Sequence, residues 1–277
     1  MDILKKFDFG IVISLDGPED IHDAMRKYTD GGPSHKDVIT NLGHCFCQYL
    51  DARKIQLAAV LHPEHFDRFE EIYRYLLSLQ KEMGFKKFSL ARVTYRSDLF
   101  SKEDLDRYKE VLKKSARSFL RECISKGRFV DTLPHFPDYI KQIRRFRPLK
   151  EILPCPGGII QLVILADGGL IHCRQVESLS NWKDLIFGNI DNAEGVNEKG
   201  RQLLHEKNSV SPQQCLTCWA RHFCLPSCPA LNYYATKDFA LPDIINCEIL
   251  KTRLEYSIWL LDEMNSRRIK LTRSNWA

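Results

Sequence analysis

The stretch QQCLTCWARHFCLPSC, residues 213–228, contains four cysteines: Cys215, Cys218, Cys224 and Cys228. Thiols clustered in this way form a disulfide framework, a zinc site or an iron–sulfur site. Of the ten cysteines in the chain, seven lie beyond residue 150, and these also include Cys155, Cys173 and Cys247. This shift in composition predicts a domain boundary near residue 150, with domains at 1–150 and 151–277.

The disulfide alternative is disfavoured by the context of the cysteines. The first residues, MDILKKFDFGIVISLDG, lack the features of a secretory signal peptide, so we expect a reducing cytoplasm. Disulfides also use cysteines in pairs, so a framework of seven would leave one cysteine without a partner. The sequence contains no run of about eighteen apolar residues, so we expect no membrane span. The 41 basic residues are offset by 36 acidic ones, so we expect no nucleic-acid partner.

The first 150 residues alternate between strand and helix patterns. Short β-branched apolar runs predict strands in FGIVISLDG, KIQLAAVLH and FKKFSLARVTY. Helical periodicity follows each of them, in HKDVITNLGHCFCQYLDAR, in the amphipathic run ending near Gly84, and from Ser101 to about residue 125. This order predicts right-handed βαβ units with a parallel sheet. Three such units leave an open edge, so the region reads as the second half of a larger (β/α) barrel.

The residues after 150 predict a small α+β domain. Asp167-Gly168-Gly169 lies between two apolar runs and is a hairpin signal. A short helix is expected around residues 196–207, then the cysteine-rich loop, then a long terminal helix with Cys247 near its start.

The choice between zinc and iron–sulfur stays open on spacing alone. Cys-x2-Cys followed by two further cysteines is an ordinary tetrathiolate zinc pattern, and it suits a cluster equally well. A single zinc would use the four loop cysteines and leave the other three as small buried side chains.

The wider pattern resembles the SPASM domain, the C-terminal extension of radical SAM enzymes that mature peptides and proteins. The matching residues are Cys155, Gly168, Cys173, the run Cys-x2-Cys-x5-Cys-x3-Cys from residue 215, and Cys247. The segment VISLDGPEDIHDAMRKYTDGG also resembles the region around the fourth strand of the radical SAM barrel. The resemblance implies two auxiliary [4Fe–4S] clusters. Cys155, Cys173 and Cys228 would hold the first, and Cys215, Cys218, Cys224 and Cys247 the second.

The radical-generating motif of that family, Cys-x3-Cys-x2-Cys, does not occur in this sequence. Cys45 and Cys47 are two positions apart on a helical pattern and are interpreted as packed core residues. We therefore expect S-adenosylmethionine (AdoMet) to be used only if an N-terminal radical SAM segment is supplied, in trans or by a longer chain. Whether the chain is a fragment, half of a split enzyme or a degenerate paralogue stays open.

Three residues near the end of the first strand are candidates for AdoMet contacts: Ser14, Asp16 and Arg26. The family places this strand end near AdoMet, and parallel barrels form their sites at the C-terminal ends of strands. For Asp16 and Arg26, turn formation and a surface cation are equally good interpretations.

The substrate implied by the resemblance is a peptide or protein. Sulfatase-maturating members carry a catalytic aspartate at the position of Arg174, so that reaction is disfavoured here, and maturation of a ribosomal peptide is expected. An electron donor such as a flavodoxin or ferredoxin is the expected redox partner. The alternative is an inactive peptide-binding module stabilised by zinc or a cluster. His172, beside Cys173, is expected to be a partly exposed strand residue.

Overall fold

The computed structural model describes residues 3, 6–7, 9–43, 51–85, 87–92, 100–130, 135–145, 155–192, 195–209, 212–224 and 228–270. These residues form two compact units. The first comprises the described residues up to 92, those from 100 to Arg144, and those from Glu255 onward; the second comprises the described residues from Arg145 to Leu254. The predicted domains, 1–150 and 151–277, stay a prediction.

The first unit begins with strands and helices in alternation. Its elements are β1 (Ile11–Ser14), α1 (Glu19–Met25), α2 (His35–Asn41), β2 (Ile55–Leu61), α3 (Phe69–Met83), β3 (Lys87–Arg92), α4 (Lys102–Lys126) and α5 (Pro137–Arg144). The three strands form one sheet in the order β1-β2-β3, and both pairs are parallel. The prediction of a parallel sheet in an α/β region is confirmed.

One face of this sheet carries the core of the first unit. Alternate residues of β2, among them Leu57 and Leu61, are buried, and Phe88 of β3 is buried beside them. Tyr73 of α3 meets Phe88 edge-on, with the ring centroids 5.7 Å apart, so this helix packs on the strands. The opposite face is more open, since Val12 of β1 is 64% exposed. The alternation follows from the period-2 geometry of a strand.

The long helix α4 is fixed at both ends by its sequence. Ser101 accepts a hydrogen bond from the Asp104 backbone N–H at 3.1 Å, and the Asp104 carboxylate accepts from the Ser101 N–H at 2.9 Å. This reciprocal capping box satisfies two of the otherwise unpaired N–H groups of the first turn. Gly127 ends the helix with a φ of 60°, a left-handed conformation that glycine adopts at low cost.

The second unit is a small antiparallel sheet followed by helices. Its strands are β4 (Val163–Ile164), β5 (Gly169–Ile171) and β6 (Gly188–Asn189), in that order. The helices are α6 (Glu198–Ser209), α7 (Gln213–Leu216), α8 (Pro229–Thr236) and α9 (Ile244–Ser266), whose second half belongs to the first unit. The predicted hairpin is confirmed: Gly168 has a φ of 82°, and the Gly169 N–H donates to the Asp167 carboxylate at 3.0 Å.

Within the described ranges, no helix is long and apolar enough to cross a bilayer. Cys123, on α4, is fully buried. Cys45 and Cys47 lie outside the described residues.

Candidate metal-binding site

Three cysteines from separate elements pack on one apolar cluster. Cys155 precedes the turn that leads to β4, Cys173 follows β5, and Cys228 is the N-cap of α8. All three contact the buried cluster formed by Val176, Leu179, Leu204 and Ala230. We call Cys155, Cys173 and Cys228 the first thiol group.

Two thiols of the first group, Cys228 and Cys155, have pKa values that their neighbours in the group raise. Burial raises the pKa of Cys228, and the nearby Cys173 and Cys155 thiols raise it further, while the N–H groups of Leu231 and Ala230 at the start of α8 lower it. Burial likewise raises the pKa of Cys155, the Gly157 N–H lowers it, and Cys173 raises it. These directions agree with the contact of all three cysteines with one apolar cluster.

Four other cysteines form a second neighbourhood, which we call the second thiol group. Cys215 lies on α7, Cys218 and Cys224 follow in the loop, and Cys247 lies in the first turn of α9. Burial raises the pKa of Cys224 to about 11, and Cys247, Cys215 and Cys218 all contribute to the rise. The pKa of Cys247 is raised to about 11 by burial, with Cys215 and Cys218 again adding to it.

The two groups divide the cysteine-rich loop between them. Cys228 lies four positions after Cys224 in the chain, yet the thiols that raise its pKa are Cys173 and Cys155. Conversely, the pKa of Cys224 responds to Cys247, on a helix that begins twenty positions later. This is the same division that the resemblance implies for the two predicted clusters.

The backbone around Cys155 is shaped to approach its sulfur closely. The Gly157 N–H donates to the Cys155 sulfur at 3.4 Å. The next residue, Gly158, has a φ of 80°, and a Cβ there would lie 2.1 Å from the Arg201 carbonyl oxygen and 2.9 Å from the His172 ring. Only glycine fits this position, so the turn is held tightly against β5 and α6.

His172 supports this turn from inside the unit. Its side chain is fully buried, its Nε2–H donates to the Gly200 carbonyl oxygen at 2.8 Å, and its ring meets Phe187 edge-on. The expectation of a partly exposed strand residue is therefore wrong. The alternating side-chain pattern of the hairpin predicted exposure for His172, but it contains no information on α6, which covers this face of β5.

The chemistry of the donors fits iron–sulfur clusters. Thiolates are the ordinary ligands of such clusters, and N–H···S hydrogen bonds and burial tune them. Across the described residues, no three His, Cys, Asp or Glu side chains converge as the ligands of one metal ion would. The assignment of the seven cysteines as ligands stays a prediction.

Of the three candidate AdoMet residues, Ser14 and Asp16 lie at the C-terminal end of β1, and Arg26 directly follows α1. Ser14 ends β1 and is exposed, opposite Ala58 of β2. Asp16 is only 3% exposed, and Arg26 donates to its carboxylate twice, through Nε at 2.7 Å and Nη2 at 3.2 Å. The Val60 N–H donates to the same carboxylate at 2.8 Å. Asp16 and Arg26 therefore bind each other and fix the loop after β1.

A buried histidine continues this polar network. The Asp16 N–H donates to His22 Nδ1 at 3.2 Å, so Nε2 carries the proton and points to the Ser34 hydroxyl oxygen at 3.1 Å. The Ser34 hydroxyl in turn donates to the Arg26 carbonyl oxygen at 2.7 Å. His22 and Ser34 were not predicted from the sequence, because the polar run after Asp16 that contains them has the composition of an ordinary loop.

Arg174 lies on the surface of the second unit. Its side chain is 80% exposed, and its Nε lies 3.1 Å from a carboxylate oxygen of Glu177. The Arg174 guanidinium is therefore exposed beside Cys173 and paired with Glu177 through Nε.

The fold is similar to that of solved radical SAM/SPASM enzyme structures. The solved structure described as native anSMEcpe with bound AdoMet and Kp18Cys peptide, an anaerobic sulfatase-maturating enzyme, superposes with a TM-score of 0.69 at 18% sequence identity, covering 95% of this chain and 71% of that chain. A histidine-tagged form of anSMEcpe with bound AdoMet gives a TM-score of 0.71 at 18% identity over 96% and 71% of the two chains. The resemblance to this class of structure is thereby confirmed at the level of the fold. No family model and no curated protein matches the sequence.

Proposed function

We propose that this chain is part of a radical SAM enzyme that modifies a ribosomally made peptide or protein, and that it supplies two auxiliary [4Fe–4S] clusters. In this proposal the first unit is the second half of a (β/α) barrel and the second unit belongs to a SPASM domain. Similarity to anSMEcpe structures over almost the whole chain supports this layout.

The observation that carries the proposal is the division of seven cysteines into two thiol groups. The first group would hold one cluster and the second group the other. Burial raises the pKa of Cys155, Cys215, Cys224, Cys228 and Cys247, so these apoprotein thiols hold their protons more tightly than free cysteine does. Ligation requires thiolates, so loading would release protons and add binding free energy to the fold.

The clusters would supply electron transfer and hold substrate. The chain's own backbone groups would stabilise the thiolate ligands. The Gly157 N–H would stabilise the Cys155 thiolate, and the N–H groups at the start of α8 would stabilise that of Cys228. The first group has three cysteines, so a fourth ligand position would be open to substrate or to another donor.

The site for AdoMet would use the exposed end of β1. Ser14 is the candidate for a direct polar contact, because its side chain is exposed at the strand end. Asp16 and Arg26 would act as positioning residues, since their charges are paired with each other. The sequence holds no Cys-x3-Cys-x2-Cys, so the radical would be generated by a segment outside these 277 residues.

The substrate would be a peptide, and the redox partner a flavodoxin or ferredoxin. Kp18Cys and Cp18Cys peptides are bound in two solved anSMEcpe structures, the first of which is described above. Arg174 would pair with an acidic group of the substrate or its leader, since a guanidinium binds carboxylates in two-point geometry. A cation at this position disfavours sulfatase maturation.

The test is the metal and sulfide content of the protein purified without oxygen. The proposal predicts about eight irons and about eight sulfides per chain, with Mössbauer parameters of cubane clusters. About one zinc and no sulfide would refute it and favour a zinc-stabilised peptide-binding module.

A further inference from the structure

The β4 edge of the second unit combines an apolar surface with unprotected backbone. Within the part of the chain that the structure describes, β4 is an edge strand, since the sheet order is β4-β5-β6. Ile160, Leu162 and Ile164, at alternate positions, are 87%, 47% and 54% exposed. We call these three residues and the outward backbone of β4 the β4 edge.

The hydrogen-bonding register determines which backbone groups point outward. The Leu165 N–H donates to the Gly169 carbonyl oxygen at 2.8 Å. Val163, two residues before Leu165, pairs with Ile171, two residues after Gly169. In an antiparallel pair, bonded and non-bonded positions alternate. The N–H and C=O groups of Ile164 therefore point away from β5, towards the open side of the sheet. The same alternation, extended to Leu162 directly before β4, puts its backbone groups on that side too.

Among the described residues, the β4 edge has none of the features that normally prevent a second strand from adding. Residues 155–166 include no charged side chain. Edge strands are usually protected by lysine, by proline within the strand or by bulges, and an exposed apolar edge without them is a pairing site. Outward donors and acceptors require an extended backbone as the occupant, and alternate apolar side chains require alternate apolar residues on it.

We propose that the β4 edge binds an extended segment of the peptide substrate by strand addition, with its apolar residues on Leu162 and Ile164. This rests on the proposed function, which makes a peptide the substrate. A second copy of the chain is a poorer occupant, because stable interfaces between proteins bury about 800 Å² on each partner, more than three side chains offer. Main-chain hydrogen bonds would give affinity, and the alternate side chains would give specificity.

The experiment uses the iron-loaded full chain and a fluorescein-labelled probe peptide, acetyl-Glu-Val-Thr-Val-Thr-Val-amide. We expect saturable binding by fluorescence anisotropy, and slower hydrogen exchange of the Leu162 and Ile164 amides when the peptide is present. Ile164→Lys and Leu162→Lys each place a charge on the edge without removing a buried side chain, and each should weaken binding by about tenfold or more.

Two controls make the result specific. Ile190→Lys changes an isoleucine that is 58% exposed at the other side of the same sheet, and it should bind the probe as the wild type does. A probe carrying N-methyl groups on every amide keeps the side chains but cannot donate backbone hydrogen bonds, and it should not bind.

Several results would overturn the proposal. One is no saturable binding at millimolar probe; others are equal loss of binding in Ile190→Lys and undiminished binding of the methylated probe. A dimer in the wild type that Ile164→Lys abolishes, seen by sedimentation velocity, would assign the edge to a second copy. Iron is measured on the same samples: no iron refutes the proposed function, whereas full iron without binding refutes this inference alone.

Discussion

Arg26 holds the buried carboxylate of Asp16 with two N–H groups, at 2.7 and 3.2 Å. The carboxylate also accepts from the Val60 N–H, so one side chain joins the end of α1 to the ends of β1 and β2. These strand ends are where a parallel barrel forms its site. The pair therefore positions the loop that would carry AdoMet contacts.

Removal of Arg26 should destabilise the first unit. Arg26→Ala leaves the Asp16 carboxylate buried without its cation, and breaking a buried ion pair costs about 3–5 kcal/mol. Since Arg26 is 34% exposed, water compensates for part of the loss, and we expect a decrease of about 2–3 kcal/mol in the free energy of unfolding. Urea unfolding followed by circular dichroism measures it.

The matched control is Arg68→Ala. Arg68 also bridges two acidic residues, Asp20 and Glu71, but that cluster lies at the surface. Arg68→Ala should decrease the free energy of unfolding much less than Arg26→Ala does, because solvent screens exposed ion pairs. Equal destabilisation by the two substitutions would contradict a structural role for burial of Asp16.

The stability of the first unit should depend on pH through His22. Burial lowers the pKa of this histidine, and the Asp16 carboxylate acts in the opposite direction. The folded pKa is below the ordinary value of 6.5, so the unfolded chain binds more protons as the pH falls. The contribution of His22 to the free energy of unfolding should therefore be complete above pH 6.5 and be lost as the pH falls below that value. The loss is about 1.4 kcal/mol for each unit by which the folded pKa lies below the unfolded pKa.

Denaturation series between pH 5 and 8 test this dependence in the wild type and in His22→Gln. Glutamine can accept from the Asp16 N–H but does not titrate, so the slope below about pH 6.5 should flatten. An unchanged slope in His22→Gln would show that other groups control it.

Gly158 should tolerate no side chain. A Cβ would lie 2.1 Å from the Arg201 carbonyl oxygen, so Gly158→Ala must displace the turn beside Cys155. Gly195→Ala is a close control, since Gly195 has a φ of 82° but nothing within 4 Å of the added atom. Both substitutions incur the cost of a left-handed backbone, and Gly158→Ala should lose about 1–3 kcal/mol more from overpacking. Iron retained by the two proteins would report whether the first thiol group is disturbed as well.

Much of the fold follows from local sequence signals. The apolar run of β2 and the Ser101–Asp104 cap of α4 act between near neighbours, and both elements form where they were predicted. Gly84 ends α3 with a φ of 73°, as its position after an amphipathic run indicates.

Other elements could not be predicted because their stability comes from distant contacts. α1, α5 and α8 have seven or eight residues each, too short for a clear helical period, and none of them was predicted from the sequence. His172 was expected at the surface, yet it is buried because Gly200 and Phe187, more than ten positions away, close over it. The division of the thiols was implied by the family resemblance, not by spacing.

The most direct test of the central claim, that two thiol groups hold two separate clusters, is the iron count of three proteins loaded anaerobically. The wild type should contain about eight irons per chain, and alanine at Cys155, Cys173 and Cys228 together should leave about four. Alanine at Cys215, Cys218, Cys224 and Cys247 should also leave about four, with a different electron paramagnetic resonance signal from the remaining cluster. Loss of all iron from both variants, or zinc in place of iron in the wild type, would contradict the claim.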